Sequence, residues 1–219
     1  MSDFEGFPPG LFTFFEGLAQ DNSKTYWEAH KTEYAENVRK PMLALLNELG
    51  AEFGPLRMFR PNRDVRFSKD KSPYKDWAGA TSEDRARGGM GYYLRVSETE
   101  LVTGFGAAMF DRDQLARFRE LIDNDETGVE FENLRTAQDK RKLPITGGIE
   151  SPLKRTPAGF AKDHPRSEIL RWKGAFVVEH WERADWMSTR EAFDRIHDVW
   201  TGAQPLGAWL ERHLQTDAR

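Results

Sequence analysis

The chain has no cysteine in 219 residues. That excludes thiol nucleophiles, Cys-ligated zinc, iron–sulfur clusters and disulfide staples, and it fits a reducing compartment. No stretch approaches the apolar length of a membrane span. The acidic start "MSDFEGFPPGLFTFF" lacks the basic flank and long apolar run of a secretory signal, so no export signal is read. Nucleotide fingerprints are missing as well. No lysine follows a glycine loop, and "GFGAAM" lacks the spacing of a dinucleotide motif. No serine nucleophile elbow occurs. The five histidines (30, 164, 180, 197, 213) show no paired metal spacing, so no metal ligand and no cofactor is named. There is no internal repeat, low-complexity tract or Gly/Ser linker. These absences leave a soluble, cytoplasmic protein of one domain spanning residues 1–219, of unassigned oligomeric state.

Aromatic residues are abundant, with seven Trp and fifteen Phe. A chain of this size can bury about 70% of its unfolded surface, so it needs no cross-links to hold a core. Helical signals come first. Pro8-Pro9 precede Leu11, Phe12, Phe15 and Leu18 at helical spacing, and Asn22 or Ser23 can cap a second helix carrying Trp27, His30, Tyr34 and Val38. Pro41 interrupts or kinks that pattern and opens a third segment ending near Gly50–Gly54. "PLRMFRPNRDVRF" reads as strand, turn, strand, and "GYYLRVSETELVTGFGAAMF" as a hairpin. Helix returns at a capping box, Asp111 with Gln114, and again over about Val129–Lys140. Pro165–Trp172 reads as a short helix and "GAFVVEHW" as a buried strand. Ser188 with Glu191 suggests another capping box, opening a helix through Trp200, with a last helix starting at Pro205. Helices at both ends around a strand-rich middle predict an α+β fold with a central antiparallel or mixed sheet.

Charge is distributed unevenly. Residues 57–75 carry seven basic side chains against Asp64 and Asp70, whereas the whole chain is −4; the remainder is therefore −9. Overall acidity argues against non-specific coating of nucleic acid but not against one local anion site. If Arg63–Ser68 is extended, Val65 and Phe67 turn to the core, and Asp64, Arg66 and Ser68 face outward or line a cleft. Arginine forks and lysine point charges in the following loop suit phosphate or carboxylate ligands. Three functional readings result. The first is a small anionic ligand held by Arg63, Arg66, Lys69, Lys71 and Lys75, with Tyr74 giving a hydroxyl or a stacking face. In an enzyme of this kind Asp64 is the first candidate for a general base, although arginine neighbours also lower its basicity. The second is a nucleic-acid module that joins the basic loop to exposed aromatics such as Tyr74, Trp77, Tyr92 and Tyr93. The third is a structural or partner-binding protein in which the stretch is an internal ion-pair network. Ser68–Lys71 and Ser72–Lys75 also match the S-x-x-K spacing of serine acylases, but the supporting elements of those enzymes are absent.

The string "RPNRDVRFSKDKSPYK", the preceding "YWEAHKTEYAENVRKPM", the following "GYYLRV" and the later "SPLKRTPAGFAKDHPRSEILRWK" together resemble a widespread microbial family of conserved hypothetical proteins, domain of unknown function 2461. The resemblance runs from Phe7 to about Leu214. It implies a single-domain member of that family and makes the basic stretch its signature, but it brings no reaction, substrate or cofactor with it.

Overall fold

Proline 41 cannot donate the backbone hydrogen bond that an α-helix requires, and its ring crowds the carbonyl one turn back. The chain accommodates it by widening the turn ahead of it rather than by breaking. Lys31–Glu33 (α3) leads into a π-helical turn at Tyr34–Arg39, in which the Lys40 N–H reaches back five residues to the Ala35 carbonyl, and Lys40–Phe53 (α4) continues the helix. Gly54 ends it with φ at 84°, a left-handed conformation for which glycine carries no Cβ penalty.

The computed structural model describes residues 3–66, 69–83 and 90–214. Ahead of that helix lie Pro9–Gln20 (α1) and Lys24–Ala29 (α2). The Ser23 hydroxyl caps α2 by accepting from the Tyr26 N–H at 3.1 Å, and the helix stops at His30, whose ring stacks on Tyr26. The strands are Leu56–Met58 (β1), Trp77–Ser82 (β2), Met90–Ser97 (β3), Glu100–Ala107 (β4), Ile145–Thr146 (β5) and Ala175–Glu182 (β6). Among the described residues they form one six-stranded antiparallel sheet in the order β1-β2-β3-β4-β6-β5. Arg112–Asp123 (α5), Asp125–Lys140 (α6), Ser167–Leu170 (α7) and Glu191–Leu214 (α8) complete the α+β fold. No helix among the described residues is long and apolar enough to cross a membrane.

The chain divides into two compact units. The first comprises residues 1–83, 93–103 and 180–198. Its core is made by the apolar stripe of α1, notably Phe14 and Phe15, by Val38, Leu45 and Leu49 of the long helix, and by Leu94 and Val96 of β3. Ala78 and Ala80 alternate inward on β2, which registers Trp77 with Ser97 and Gly79 with Arg95. A polar clasp fixes the N-terminal segment: Glu48 accepts from the Phe4 N–H and pairs with Arg190, which itself donates to the Phe4 carbonyl.

The second unit comprises residues 84–92, 104–179 and 199–219. Phe118, Phe131 and Trp209 meet edge-to-face in its core. The capping box of Asp111 and Gln114 starts α5, and Asn124 caps α6 at once, so that helix begins at Asp125 rather than near Val129. Arg166 lies 5% exposed between the two helices and donates to the carbonyls of Ile122 and Asp123 at the end of α5. It thereby satisfies carbonyls that a helix terminus leaves without partners.

Two expectations change at α8. Ser188 belongs to a short 3-10 turn, and the oxygen that accepts the Glu191 N–H is that of Thr189. The helix also runs through Pro205 instead of restarting there. Val199, Trp200 and Ala203 before the proline and Leu206, Trp209 and Leu210 after it are all buried on a common apolar face, which offsets the one lost hydrogen bond.

Candidate functional site

Between β1 and β2 the signature stretch folds into a long hairpin, held by few but well-placed contacts. The Phe59 N–H donates to the Gly79 carbonyl, Lys75 to Pro61 and Arg63 to Pro73, each at 2.8–2.9 Å. Both prolines enter this ladder as acceptors only, as their missing N–H demands. Asn62 and Tyr74 form an isolated antiparallel bridge, so the partner of the 62 region is Tyr74, and residues 63–66 form no second strand. Phe67 and Ser68, which the alternation sets on opposite sides, lie outside the described residues, and with Ser68 the Ser68–Lys71 spacing.

The hairpin is clamped from α2 and the turn before it. The Asn22 side chain donates to the Tyr74 carbonyl at 3.0 Å and accepts from the Tyr74 N–H at 3.1 Å, behaving as a strand partner in miniature. The Tyr74 ring stacks on Trp27 with centroids 4.2 Å apart and is only 7% exposed. Its stacking face is therefore occupied by the protein itself.

The cations of the stretch are largely engaged within it. Arg63 bridges Asp70 and, at 3.0 Å, Asp76. Arg66, 77% exposed, chelates Asp64 at 2.7 and 3.0 Å. The Arg66 bonds hold the Asp64 carboxyl below its ordinary range. Asp64 is thus ionised, in contact with solvent and a weak base. Asp70 accepts from both the hydroxyl and the N–H of Ser72, and these bonds, followed by Arg63, lower its pKa. Lys71 donates to the Val65 carbonyl at 2.9 Å. Lys75 donates to the carbonyls of Arg60 and Asn62 at 2.5 and 2.6 Å; burial, then Arg60 and Arg63, pull its pKa down. Ser72 and Lys75 therefore serve different partners and make no catalytic pair. Lys69 is exposed and closes no ion pair among the described residues.

Beside the hairpin is a cavity of about 380 Å³ lined by Tyr34, Arg39, Leu43, Met58, Phe59, Arg60 and Pro61. The π turn shapes it. In an α-helix, residues 34 and 39 point well apart, whereas bonding five residues back brings them toward one face. Tyr34 forms part of the wall, packed on Trp27 at 4.8 Å and Phe14 at 5.5 Å. Burial raises the pKa of its hydroxyl, opposed by Arg39, so it stays a hydrogen-bond donor at neutral pH. Arg39 and Arg60 reach this cavity from different elements, and neither guanidinium donates a hydrogen bond or closes an ion pair among the described residues. Only the first unit contributes to it. Two guanidinium forks above apolar walls suit a carboxylate or phosphate attached to an apolar body. Arg60 belongs to the basic stretch; Arg39 carries no sequence signal, because only the π turn brings it there.

A second, polar cavity of about 200 Å³ is bordered by Asp76, Trp77, Arg95 and Ser97–Glu100. There Arg95 pairs with Glu100, while Arg95 Nε and Glu98 Oε2 are buried without a hydrogen-bond partner among the described residues. Burial, then the charges of Asp76 and Glu16, raises the Glu98 pKa. Among the described residues no three His, Asp or Glu side chains are grouped to hold a metal ion.

No curated protein matches the chain. A family model does match, over residues 10–209, within the span of the resemblance seen in the sequence. The chain belongs to that family, the conserved hypothetical proteins of DUF2461.

Proposed function

We propose that the protein binds a small ligand carrying a carboxylate or phosphate on an apolar body, with the anion between Arg39 and Arg60. One observation carries this reading. Arg63, Arg66, Lys71 and Lys75 of the hairpin are taken up by Asp64, Asp70, Asp76 and backbone carbonyls, whereas the guanidiniums of Arg39 and Arg60 line one largely apolar cavity and have no such partners among the described residues. The basic stretch then contributes Arg60 to the ligand and uses Arg63, Arg66, Lys71 and Lys75 to build the wall that holds it. That internal pairing also supports a second reading, in which residues 57–75 are purely architectural. The cavity's lining residues bind rather than react, so the reading is of a binding protein. It is assigned to the cytoplasm as a soluble protein, which the cysteine-free, highly charged composition supports.

The test is a thermal-shift panel of aliphatic and aromatic carboxylates and phosphate monoesters at low salt. A ligand at a hundred times its dissociation constant stabilises by about 2.7 kcal/mol, a rise of roughly 5–10 °C for this size. Arg39→Ala and Arg60→Ala should each weaken binding by about 10- to 100-fold, the range of a charge-assisted hydrogen bond. A shift kept by both variants and lost in Arg66→Ala would move the site onto the hairpin. No shift with any compound would leave the architectural reading.

A further inference from the structure

The Arg39–Arg60 cavity does not end at Leu43. The same side chain, 38% exposed, also borders a groove of about 620 Å³ formed by Leu46, Asn47, Gly50 and Ala51 of α4 with Pro55 and Leu56. Cavity and groove share Leu43 and meet β1 at Met58 and Leu56, respectively, and β1 is the first strand of the sheet. No strand pairs with its outer side among the described residues.

The register decides which backbone groups face that outer side. Leu56 registers with Ser82, Arg57 with Thr81 and Met58 with Ala80. The Phe59 N–H donates to Gly79, and the Glu83 N–H donates to Pro55. Hydrogen-bonded pairs alternate in an antiparallel ladder, so residues 55, 57 and 59 bond to β2. Leu56 and Met58 therefore turn N–H and C=O away from the sheet, and no hydrogen bond to either is formed by the described residues. Their side chains line the groove and the cavity, respectively. The groove is also open at its far end: a Cβ added at Gly50 or Gly54 would meet no atom within 4 Å.

The geometry points to the C-terminus of a polypeptide as the ligand, an inference that rests on the anion reading above. The terminal carboxylate occupies the Arg39–Arg60 end. The backbone runs parallel to β1 and bonds to the outward groups of Leu56 and Met58. Alternate residues in a strand are about 7 Å apart and share a face. The last side chain then enters the cavity of Tyr34 and Met58, and the antepenultimate one enters the groove over Gly50 and Ala51. Charge complementarity fixes the occupant. Two guanidiniums that close no ion pair among the described residues, beside a largely apolar channel, match a chain that is neutral along its length and negative at its end.

The probe is a random heptapeptide library displayed with free C-termini and selected on the full chain. Enriched peptides are made as free acids and as C-terminal amides and titrated by fluorescence polarisation. Apolar residues are expected at the last and antepenultimate positions, and the amides should bind at least tenfold more weakly. Gly50→Leu should fill the groove without loss of folding, since leucine is the better helix former. It should abolish peptide binding, leave the thermal shift by small carboxylates in place and melt no lower than wild type. Hydrogen exchange at the amides of Leu56 and Met58 should slow when peptide binds. Failure to enrich any sequence, amides as tight as acids, or peptide binding unchanged in Gly50→Leu would each overturn the inference. If small carboxylates still bind through Arg39 and Arg60, only the peptide reading fails. If they do not, the anion reading fails with it.

Discussion

Removing the Asn22 amide tests how the hairpin is held. In Asn22→Ala the Tyr74 N–H and C=O lose the one side-chain partner they have among the described residues, at a residue that is only 7% exposed and stacked on Trp27. Two hydrogen bonds at about 1 kcal/mol each, with an added cost for the poorly hydrated groups left behind, give about 2–3 kcal/mol. For a chain of this length that corresponds to a Tm lower by roughly 4–10 °C. Urea unfolding should show a lower midpoint with an unchanged m-value, since the surface exposed on unfolding stays the same. Asn22→Asp separates the two bonds. At neutral pH it keeps an acceptor for the Tyr74 N–H but sets a carboxylate against the Tyr74 carbonyl, and it should cost at least half as much as alanine. Near pH 3 the protonated acid regains a donor, and the difference from wild type should shrink. A loss under about 0.5 kcal/mol for Asn22→Ala would mean that the stack on Trp27 alone positions the hairpin, and the clamp would be refuted.

Two carboxylates should respond to pH in opposite directions. Burial alone would raise the Glu48 pKa, but the Phe4 N–H and Arg190 outweigh it and hold it below its ordinary value. Its contribution is present above the unfolded carboxyl pKa of about 4.3 and is lost as pH falls through the folded value. Glu48→Gln, whose side chain is partly solvated, should cost about 1 kcal/mol at pH 7 and progressively less as pH falls below the ordinary carboxyl range, read from urea midpoints across that range. Glu98 has a raised pKa from burial and from Asp76 and Glu16, so protonation favours its folded state. Its stabilising effect is present below about pH 4.3 and lost as pH rises through the folded pKa. Glu98→Gln should therefore melt slightly higher than wild type at pH 7, by about 2 °C or less, with no gain near pH 3. A lower Tm at pH 7 would show that the Glu98 charge has a stabilising partner.

Much of the fold was legible because it is locally specified. The stripe Leu11, Phe12, Phe15, Leu18 forms α1, the capping box at Asp111 starts α5, and alternation around Leu94 and Val96 makes β3. Each depends on residues a few positions apart. The site was legible only in part. Arg60 lies in the stretch that composition singled out, and Arg63, Arg66, Lys71 and Lys75 lie there too, but their partners depend on the path of the hairpin. Tyr74 looks like an exposed aromatic beside lysines until Trp27, 47 positions earlier, covers its face.

By itself the sequence determined the α+β class, the aromatic core, the absence of thiol chemistry and the place of the unusual charge. These follow from periodicity and composition, which act over short distances or on the whole chain at once. Tertiary structure decided what the charge does. Whether an arginine meets a carboxylate, a carbonyl or open space depends on contacts between segments far apart, and a widened turn ahead of Pro41 accompanies the placing of Arg39 on the same cavity as Arg60. The same dependence let α8 continue through Pro205, because burial on both sides outweighed a local rule.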